Sequence, residues 1–249
     1  MSRTFDALLK AEKDKPSGVN AKIFSNPGIF SPKKDPHKFK VITWITEEYK
    51  RMKQHISSLS EVNEIKAILF TSSKSEEGTS TVLFNFAIDL VNDGEKVIIV
   101  DANLRTPAIH SFLSLEQENG FSELIYGQKS IDQALKKTEI KNLTVITSGS
   151  PVTNPSTGLA SVKLPALIQE LKIKADWILV DSPPIHDYND SCILADKLDG
   201  VILIIQAEKT KWEVVQSAKE RISRNDVKLL GAILNKKQMH IPNWLYKLI

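Results

Sequence analysis

The sequence has 249 residues, of which 41% are hydrophobic and 25% are charged, and this composition fits one α/β domain with a substantial core. It excludes a disordered chain, and no apolar run approaches the roughly 20 residues that a membrane-spanning helix needs. The single cysteine, Cys192, excludes an internal disulfide and a thiolate metal site. Because the sequence does not start with the apolar core of a signal peptide, we expect a cytoplasmic protein.

The net charge of +3 is spread unevenly along the sequence. Residues 1–66 hold 13 Lys and Arg against 8 Asp and Glu, whereas the remaining residues hold 20 against 22. The basic first part is either a solvated segment or a surface that approaches an anionic membrane or an acidic partner. Few aromatic residues and arginines accompany the lysines, so nucleic acid is not a predicted partner.

The first 14 residues, MSRTFDALLKAEKD, predict a short amphipathic helix. Phe5, Leu8 and Leu9 fall on one face of it. Two interpretations stay open, because such a face either docks on a partner or packs back on its own domain.

A linker is predicted to follow this helix. Residues 15–40 are rich in proline, lysine and glycine, a composition that favours an extended chain. Helical periodicity begins again near Thr46. The sequence therefore predicts an N-terminal helical arm with its linker over residues 1–43 and a main domain over residues 44–249.

Strands and helices alternate along the main domain after Glu64. The predicted strands are Ala67–Phe70, Lys96–Val100, Leu143–Thr147, Trp177–Val180, Val201–Gln206 and Leu229–Leu234. The predicted helices are 80–92, 120–126, 130–136, 156–173, 189–196 and 211–224. Several strands are continuous apolar runs, as expected when helices cover both faces of a parallel sheet. The predicted fold class is a doubly wound, mostly parallel α/β sheet, with ligands at the carboxyl ends of the strands.

The run IKAILFTSSKSEEGTSTVLFNFAIDL, from Ile65 to Leu90, has the strand, turn and helix of a phosphate-binding loop. In such a loop, backbone N–H groups surround the phosphates, a lysine neutralises their charge and a Ser or Thr hydroxyl ligates magnesium. Gly78, Ser80 and Thr81 fit this pattern, but Thr79 stands at the lysine position and brings no charge. We therefore predict weak nucleotide binding.

Three charged residues modify the same turn. Glu76 and Glu77 are predicted to place carboxylates where a polyphosphate would approach. Lys74 lies five residues before Thr79. It is either a cation that partly restores the missing charge or a solvent-facing lysine with the two glutamates as local partners.

Two acidic residues stand at the ends of predicted strands that follow this loop in the sequence. Asp101 ends the strand of VIIVDANLRTPAIH, and Asp181 ends the strand of WILVDSPPIHD. Acids at strand ends beside a phosphate-binding loop are natural ligands for a metal ion or its water shell. Each pattern alone is weak, because a strand-ending aspartate also caps turns, but the two together with GTST predict a nucleotide site.

These motifs resemble those of the bacterial tyrosine kinases (BY-kinases) of capsule and exopolysaccharide systems, relatives of the MinD and ParA ATPases. TSSKSEEGTSTVLFNFA is similar to the family's TSxxPGEGKSTxxxNLA, and VIIVDANLRTPAIH and WILVDSPPIHD are similar to VLLIDADLRRPxxH and VIIDTPPVxxD. DGVILIIQAEKTKWEVV and LLGAILNK are similar to DGVLLVVRxGxTxxxxV and xLGVVLNR. Five motifs in order, over about residues 44–249, make a chance resemblance improbable.

The resemblance implies a P-loop NTPase-like fold that binds ATP and Mg²⁺. The implied catalytic residues are Asp101, Asp181 and Lys74, and the implied metal ligands are Ser80, Asp101 and Asp181. The implied nucleotide-binding residues are Glu77, Gly78, Thr79, Ser80, Thr81 and Asn235. Asn235 corresponds to an asparagine that tends to meet the adenine base, although without the resemblance a strand-end turn residue is the simpler interpretation.

The resemblance also implies partners. Glu47, Lys50 and Lys53 occupy the positions of a Glu-x-x-Arg-x-x-Arg oligomerisation pattern, and lysine cannot reproduce the bidentate fork of arginine. In place of a C-terminal tyrosine cluster this sequence has Tyr246, which is either the phosphoacceptor or a packing residue at a membrane-facing tail. A membrane polysaccharide co-polymerase is the implied partner, with the chain at the inner face of the membrane.

Three functions are consistent with the sequence. The first is a regulatory partner of the co-polymerase with weakened or lost nucleotide chemistry, because Thr79, Glu76 and Asn103 replace a lysine, a glycine and an aspartate of the family motifs. The second is an active ATP-dependent tyrosine autokinase. The third is a MinD-like positioning ATPase, which Lys74 favours and which the EEYKRMK helix and the WLYKLI tail oppose.

Overall fold

The structure is a computed structural model, and it describes residues 22–25, 43–60, 64–224 and 227–237. The predicted N-terminal helix and Tyr246 lie outside these residues. The strands are β1 (Lys22–Ser25), β2 (Ala67–Ser72), β3 (Val97–Asp101), β4 (Lys136–Lys137), β5 (Leu143–Ile146), β6 (Trp177–Asp181), β7 (Gly200–Gln206) and β8 (Leu229–Asn235). The helices are α1 (Thr43–Ser60), α2 (Thr79–Asn92), α3 (Ile109–Phe112), α4 (Phe121–Ile125), α5 (Ile131–Ala134), α6 (Pro155–Leu159), α7 (Leu164–Lys174), α8 (Asp190–Ala195) and α9 (Trp212–Ser223).

All eight strands form one sheet in the order β1-β8-β7-β2-β6-β3-β5-β4. Every pairing is parallel except the one between β4 and β5 at the edge. Each of the six predicted strands is present, and helices separate most of them, so the predicted doubly wound α/β fold class is confirmed. The strands β7, β2, β6 and β3 are neighbours, and their carboxyl ends therefore meet at one edge of the sheet.

Two hydrophobic cores lie on opposite faces of the sheet, because successive side chains of a strand point to opposite sides. In β2, Ala67 and Leu69 belong to the core beneath α4 to α9, whereas Ile68 and Phe70 belong to the core beneath α1 to α3. The ring of Phe86 in α2 lies 6.1 Å from that of Phe70, between ring centroids. Both faces of the central strands are covered, which explains their continuous apolar sequences.

The structure corrects three sequence predictions. Residues 22–25, within the predicted linker, form a strand that pairs with β8. The helix predicted over 156–173 is two helices, and Pro165 lies in the first turn of the second, where a missing N–H is tolerated. Residues 136–137 form an edge strand instead of continuing the predicted helix over 130–136. Among the described helices, none combines the length and the apolar character needed to cross a membrane.

Candidate nucleotide-binding site

The candidate site lies where the loop between β2 and α2 meets the carboxyl ends of the neighbouring strands. Ser72 ends β2 and Thr79 begins α2, so residues 73–78 form the loop. On one side of β2, the ends of β6 and β3 bring Asp181 and Asp101 opposite each other in register. On the other side, β7 and β8 end next to the loop. The predicted residues from three distant motifs therefore lie at one edge of the sheet.

The loop has the backbone conformation that an anion cradle needs. Gly78 has a left-handed φ of 91°, and Glu76 has a φ of 65°, which is unusual for a residue with a side chain. Among the described residues, the backbone N–H groups of residues 75–81 have no hydrogen-bond acceptor. Such unpaired donors at the start of a helix attract negative charge. This arrangement is the one that the predicted phosphate-binding loop requires.

Glu77 is a structural part of this loop. Its side chain is buried, and one carboxylate oxygen accepts hydrogen bonds from the Ser73 N–H (2.8 Å), the Ser73 hydroxyl (2.7 Å) and the Lys74 N–H (3.0 Å). The other oxygen accepts from the Gln206 N–H (3.2 Å) and from the Thr210 hydroxyl. The prediction that this carboxylate faces an approaching polyphosphate is wrong, because it points into the fold.

The charge expected of the loop is missing at Thr79, as the sequence predicts. Thr79 is the first residue of α2 and is partly exposed. Lys74 is exposed, and in the part of the chain that the structure describes its ammonium group forms no ion pair. The exposure of Lys74 agrees with the solvent-facing interpretation, but among the described residues neither Glu76 nor Glu77 pairs with its ammonium group. The buried Glu77 carboxylate accepts the backbone N–H of Lys74 instead.

Ser80 and Asp181 are brought together as the metal-site prediction requires. The Ser80 hydroxyl donates to Asp181 Oδ2 at 2.5 Å, and Asp181 Oδ1 is buried without a hydrogen-bond partner among the described residues. Burial and the nearby Asp101 carboxylate raise the pKa of Asp181 well above its usual range, against the opposing effect of the hydrogen bond from Ser80. A hydroxyl beside a carboxylate with a spare oxygen fits Mg²⁺, which takes few protein ligands and keeps several waters.

Asp101 is fully buried at the end of β3. One of its oxygens accepts from the N–H groups of Ala108 (3.2 Å) and Ile109 (3.1 Å), and the other accepts from that of Asn103 (3.3 Å). Burial raises the pKa of Asp101 to about 7, against the opposing effect of these hydrogen bonds. Two ionised carboxylates so close together repel each other, and an approaching cation favours their ionised forms.

Asn103 shapes the turn after β3 and offers little to a ligand. Its amide oxygen accepts from the Thr106 N–H at 3.1 Å, and its amide nitrogen donates to the Thr106 hydroxyl at 3.1 Å. Arg105 then reaches the buried carboxylate of Asp190 at 2.9 Å and lies over the Tyr188 ring, 4.2 Å from its centroid. This arginine therefore joins the segment after β3 to the segment after β6.

Asn235 and Lys236, at the end of β8, both contact the loop. The Asn235 amide donates to the Glu77 carbonyl at 2.7 Å, and its Oδ1 is buried without a partner among the described residues. The Lys236 ammonium donates to the Glu76 carbonyl at 2.5 Å. Lys236 was not among the predicted site residues. Its signal was the lysine after the asparagine of LLGAILNK, at the position where the family pattern has arginine.

The predicted oligomerisation residues lie on α1. Glu47 and Lys50 are exposed, whereas Lys53 pairs within the chain with Asp93 (3.0 Å) and Glu95 (2.8 Å). Burial lowers the pKa of Lys53, but the hydrogen bonds and charges of these two acids outweigh it and raise the pKa above its ordinary value. A role of the other two residues in subunit contact stays a prediction, and so does the phosphoacceptor role of Tyr246.

Residues 65–230 match a family model described as an AAA domain. The chain is 34% identical over 192 residues to the putative tyrosine-protein kinase CapB of Staphylococcus aureus, a match that covers 77% of this chain and 84% of the relative. It is 34% identical over 194 residues to the tyrosine-protein kinase YwqD of Bacillus subtilis (strain 168), over 78% and 82% of the two chains. Among solved structures, the chimerical protein CapA2B2 superimposes with a TM-score of 0.79 at 25% identity, covering 93% of this chain and 99% of that chain.

Proposed function

The chain belongs to the bacterial tyrosine-kinase family of P-loop ATPases, and from that premise we propose that it is a regulatory member with weakened nucleotide chemistry. In this proposal it acts in capsule or exopolysaccharide production, next to a membrane polysaccharide co-polymerase. The observation that carries the proposal is Thr79 at the start of α2, where an uncharged side chain stands at the lysine position of an otherwise preformed loop.

The missing lysine lowers the affinity for nucleotide but leaves the structure of the loop in place. Loss of one charge-assisted contact with a phosphate costs about 1.5–3 kcal/mol, and more in a transition state where the charge develops in a drier site. A loss of 1.5–3 kcal/mol corresponds to a decrease of about one to two orders of magnitude in affinity or rate. The loop, the buried Glu77 and the acids at the sheet edge support retention of the scaffold.

Mg²⁺ and ATP would occupy the edge between the loop and the two acids. The Ser80 hydroxyl would ligate Mg²⁺ directly, and Asp181 and Asp101 would hold its water ligands. A bound Mg²⁺ supplies positive charge that neutralises the phosphates. The chain's own contribution is to orient the phosphates with the unpaired N–H groups of residues 75–81. The family resemblance would place Asn235 next to the adenine base.

An active autokinase is the second candidate, because the hydrogen bond between Ser80 and Asp181 is intact. One co-expression experiment separates the two candidates. The parent chain and Thr79→Lys are each expressed with the membrane co-polymerase, and phosphotyrosine is measured by mass spectrometry on each tyrosine, including Tyr246. We expect both chains to co-purify with the co-polymerase and Thr79→Lys to carry at least tenfold more phosphotyrosine.

The two halves of the proposal fail separately in this experiment. Equal phosphotyrosine on the parent and on Thr79→Lys would contradict weakened chemistry and favour the active kinase. Loss of co-purification by both chains would contradict the partner role. Thr79→Ala is the matched control, because it changes the same residue without adding a charge and is expected to behave like the parent.

A further inference from the structure

Lys236, the residue after β8, places a positive charge directly on the phosphate loop. Its ammonium group donates to the Glu76 carbonyl at 2.5 Å, and its Cε would lie 3.9 Å from a Cβ built on Gly78. The backbone of Lys236 has a left-handed φ of 57°, which turns the chain at the end of the strand. The Lys236 side chain therefore reaches the loop from the end of β8 and is not itself part of the loop.

The contact holds a part of the loop that is conformationally costly. Glu76 has a φ of 65°, a left-handed conformation that is unfavourable for a residue with a side chain. The carbonyl of this residue accepts from Lys236, and the carbonyl of the next residue, Glu77, accepts from Asn235 at 2.7 Å. The end of β8 thus fixes two successive peptide groups of the loop.

Lys236 also differs from the other cations near the site. Arg105 is engaged with Asp190, and Lys74 extends into solvent from the loop. Glu76, Asp101 and Asp181 make the surroundings acidic when ionised. A lysine side chain has four rotatable bonds, so its ammonium group can move between the loop carbonyl and a bound phosphate without a change of backbone.

We propose that Lys236 is a phosphate-binding residue of this chain, which supplies from β8 part of the positive charge that the loop lacks at Thr79. The ligand class is the polyphosphate of a nucleoside di- or triphosphate. The inference rests on the proposed function, because it assumes that the loop binds nucleotide weakly. It adds the residue that keeps this binding measurable.

A double-mutant cycle tests the proposal. A fluorescent adenine nucleotide with Mg²⁺ is titrated into the parent, Lys236→Met, Thr79→Lys and the double variant. If both lysines neutralise the same phosphates, each matters less when the other is present. We expect Lys236→Met to weaken binding about tenfold in the parent and at most about threefold in the Thr79→Lys background. Lys237→Met, at the exposed next residue, is the matched control and is expected to change binding less than about twofold.

Three other results overturn the inference, and a fourth overturns the proposed function on which it rests. Equal weakening in both backgrounds would show that Lys236 only holds the loop, and no weakening in either would show that it does not act at all. Undetectable binding by the parent would refute a charge supplied by Lys236 while leaving the proposed function intact. Binding by the parent as tight as that of Thr79→Lys would instead contradict the proposed function. Lys236→Arg keeps the charge and is expected to bind the nucleotide like the parent. Equal melting temperatures of all variants confirm that they fold.

Discussion

Gly78→Ala is expected to destabilise the fold because of a specific collision in the loop. A Cβ on Gly78 would lie 2.3 Å from Asn235 Nδ2, closer than any real contact. The residue also has a φ of 91°, which costs alanine about 1–2 kcal/mol. Displacing Asn235 breaks its hydrogen bond to the Glu77 carbonyl and leaves a buried amide unpaired, at a further cost of about 1–3 kcal/mol.

The expected loss is about 2–4 kcal/mol, because alanine also lowers the entropy of the unfolded chain by about 0.4–1 kcal/mol. Gly94→Ala is the matched control. Gly94 has nearly the same φ of 92°, but no atom lies within 4 Å of its added Cβ. It therefore carries the backbone cost alone, which leaves a loss of about 0.5–1.5 kcal/mol.

Equilibrium unfolding in urea measures both variants against the parent. Gly78→Ala is expected to lose about 1–3 kcal/mol more than Gly94→Ala, which for a chain of this size separates their melting temperatures by several degrees. Equal losses in the two variants would refute the collision with Asn235. Retained nucleotide affinity in Gly78→Ala would show in addition that the loop can move away from β8.

Two further predictions concern buried carboxylates. Glu77→Gln is expected to lower the free energy of unfolding, measured in urea, by about 3 kcal/mol, because the new amide nitrogen would face N–H and O–H donors. The control Glu76→Gln, at an exposed position, should change it by less than about 0.5 kcal/mol. Similar losses in both variants would contradict the buried network. Burial and then Asp93 raise the pKa of Asp89 to about 6, and its Oδ2 has no hydrogen-bond partner among the described residues. Because the carboxyl pKa is higher in the folded state than in the unfolded state, the stability of the parent falls as the pH rises from about 4 through 6. Asp89→Asn should therefore be about 1–2 kcal/mol more stable than the parent at pH 7.5 and lose this advantage near pH 4. An advantage that is independent of pH would contradict the raised pKa of Asp89.

The sequence predicts the central part of the fold because local and long-range signals agree there. The apolar run that ends in Phe70, the turn and the helix predicted over 80–92 occur as one strand, loop and helix. Asp101 and Asp181 were recognisable because each ends an apolar strand, and parallel strands bring their carboxyl ends together. In β1, by contrast, four residues inside a proline-rich segment pair with a strand about 200 positions away, a contact that local composition does not encode.

The side-chain roles in the loop were less predictable. Glu77 resembles a solvent-facing acid in the sequence, and only the positions of Gln206 and Thr210 reveal that its carboxylate is buried. Lys236 depends in the same way on where β8 ends relative to the loop. A residue type and its spacing predict that a loop exists, but the direction of each side chain depends on elements distant in sequence.

The affinity of the purified chain for MgATP, compared with that of Thr79→Lys, tests the central claim most directly. The account predicts that Thr79→Lys binds at least tenfold more tightly than the parent, with Thr79→Ala unchanged and Lys74→Ala weakened by less than about threefold. Micromolar binding by the parent that is not improved by Thr79→Lys, and that disappears in Lys74→Ala, would contradict the account and identify Lys74 as the cation of the site.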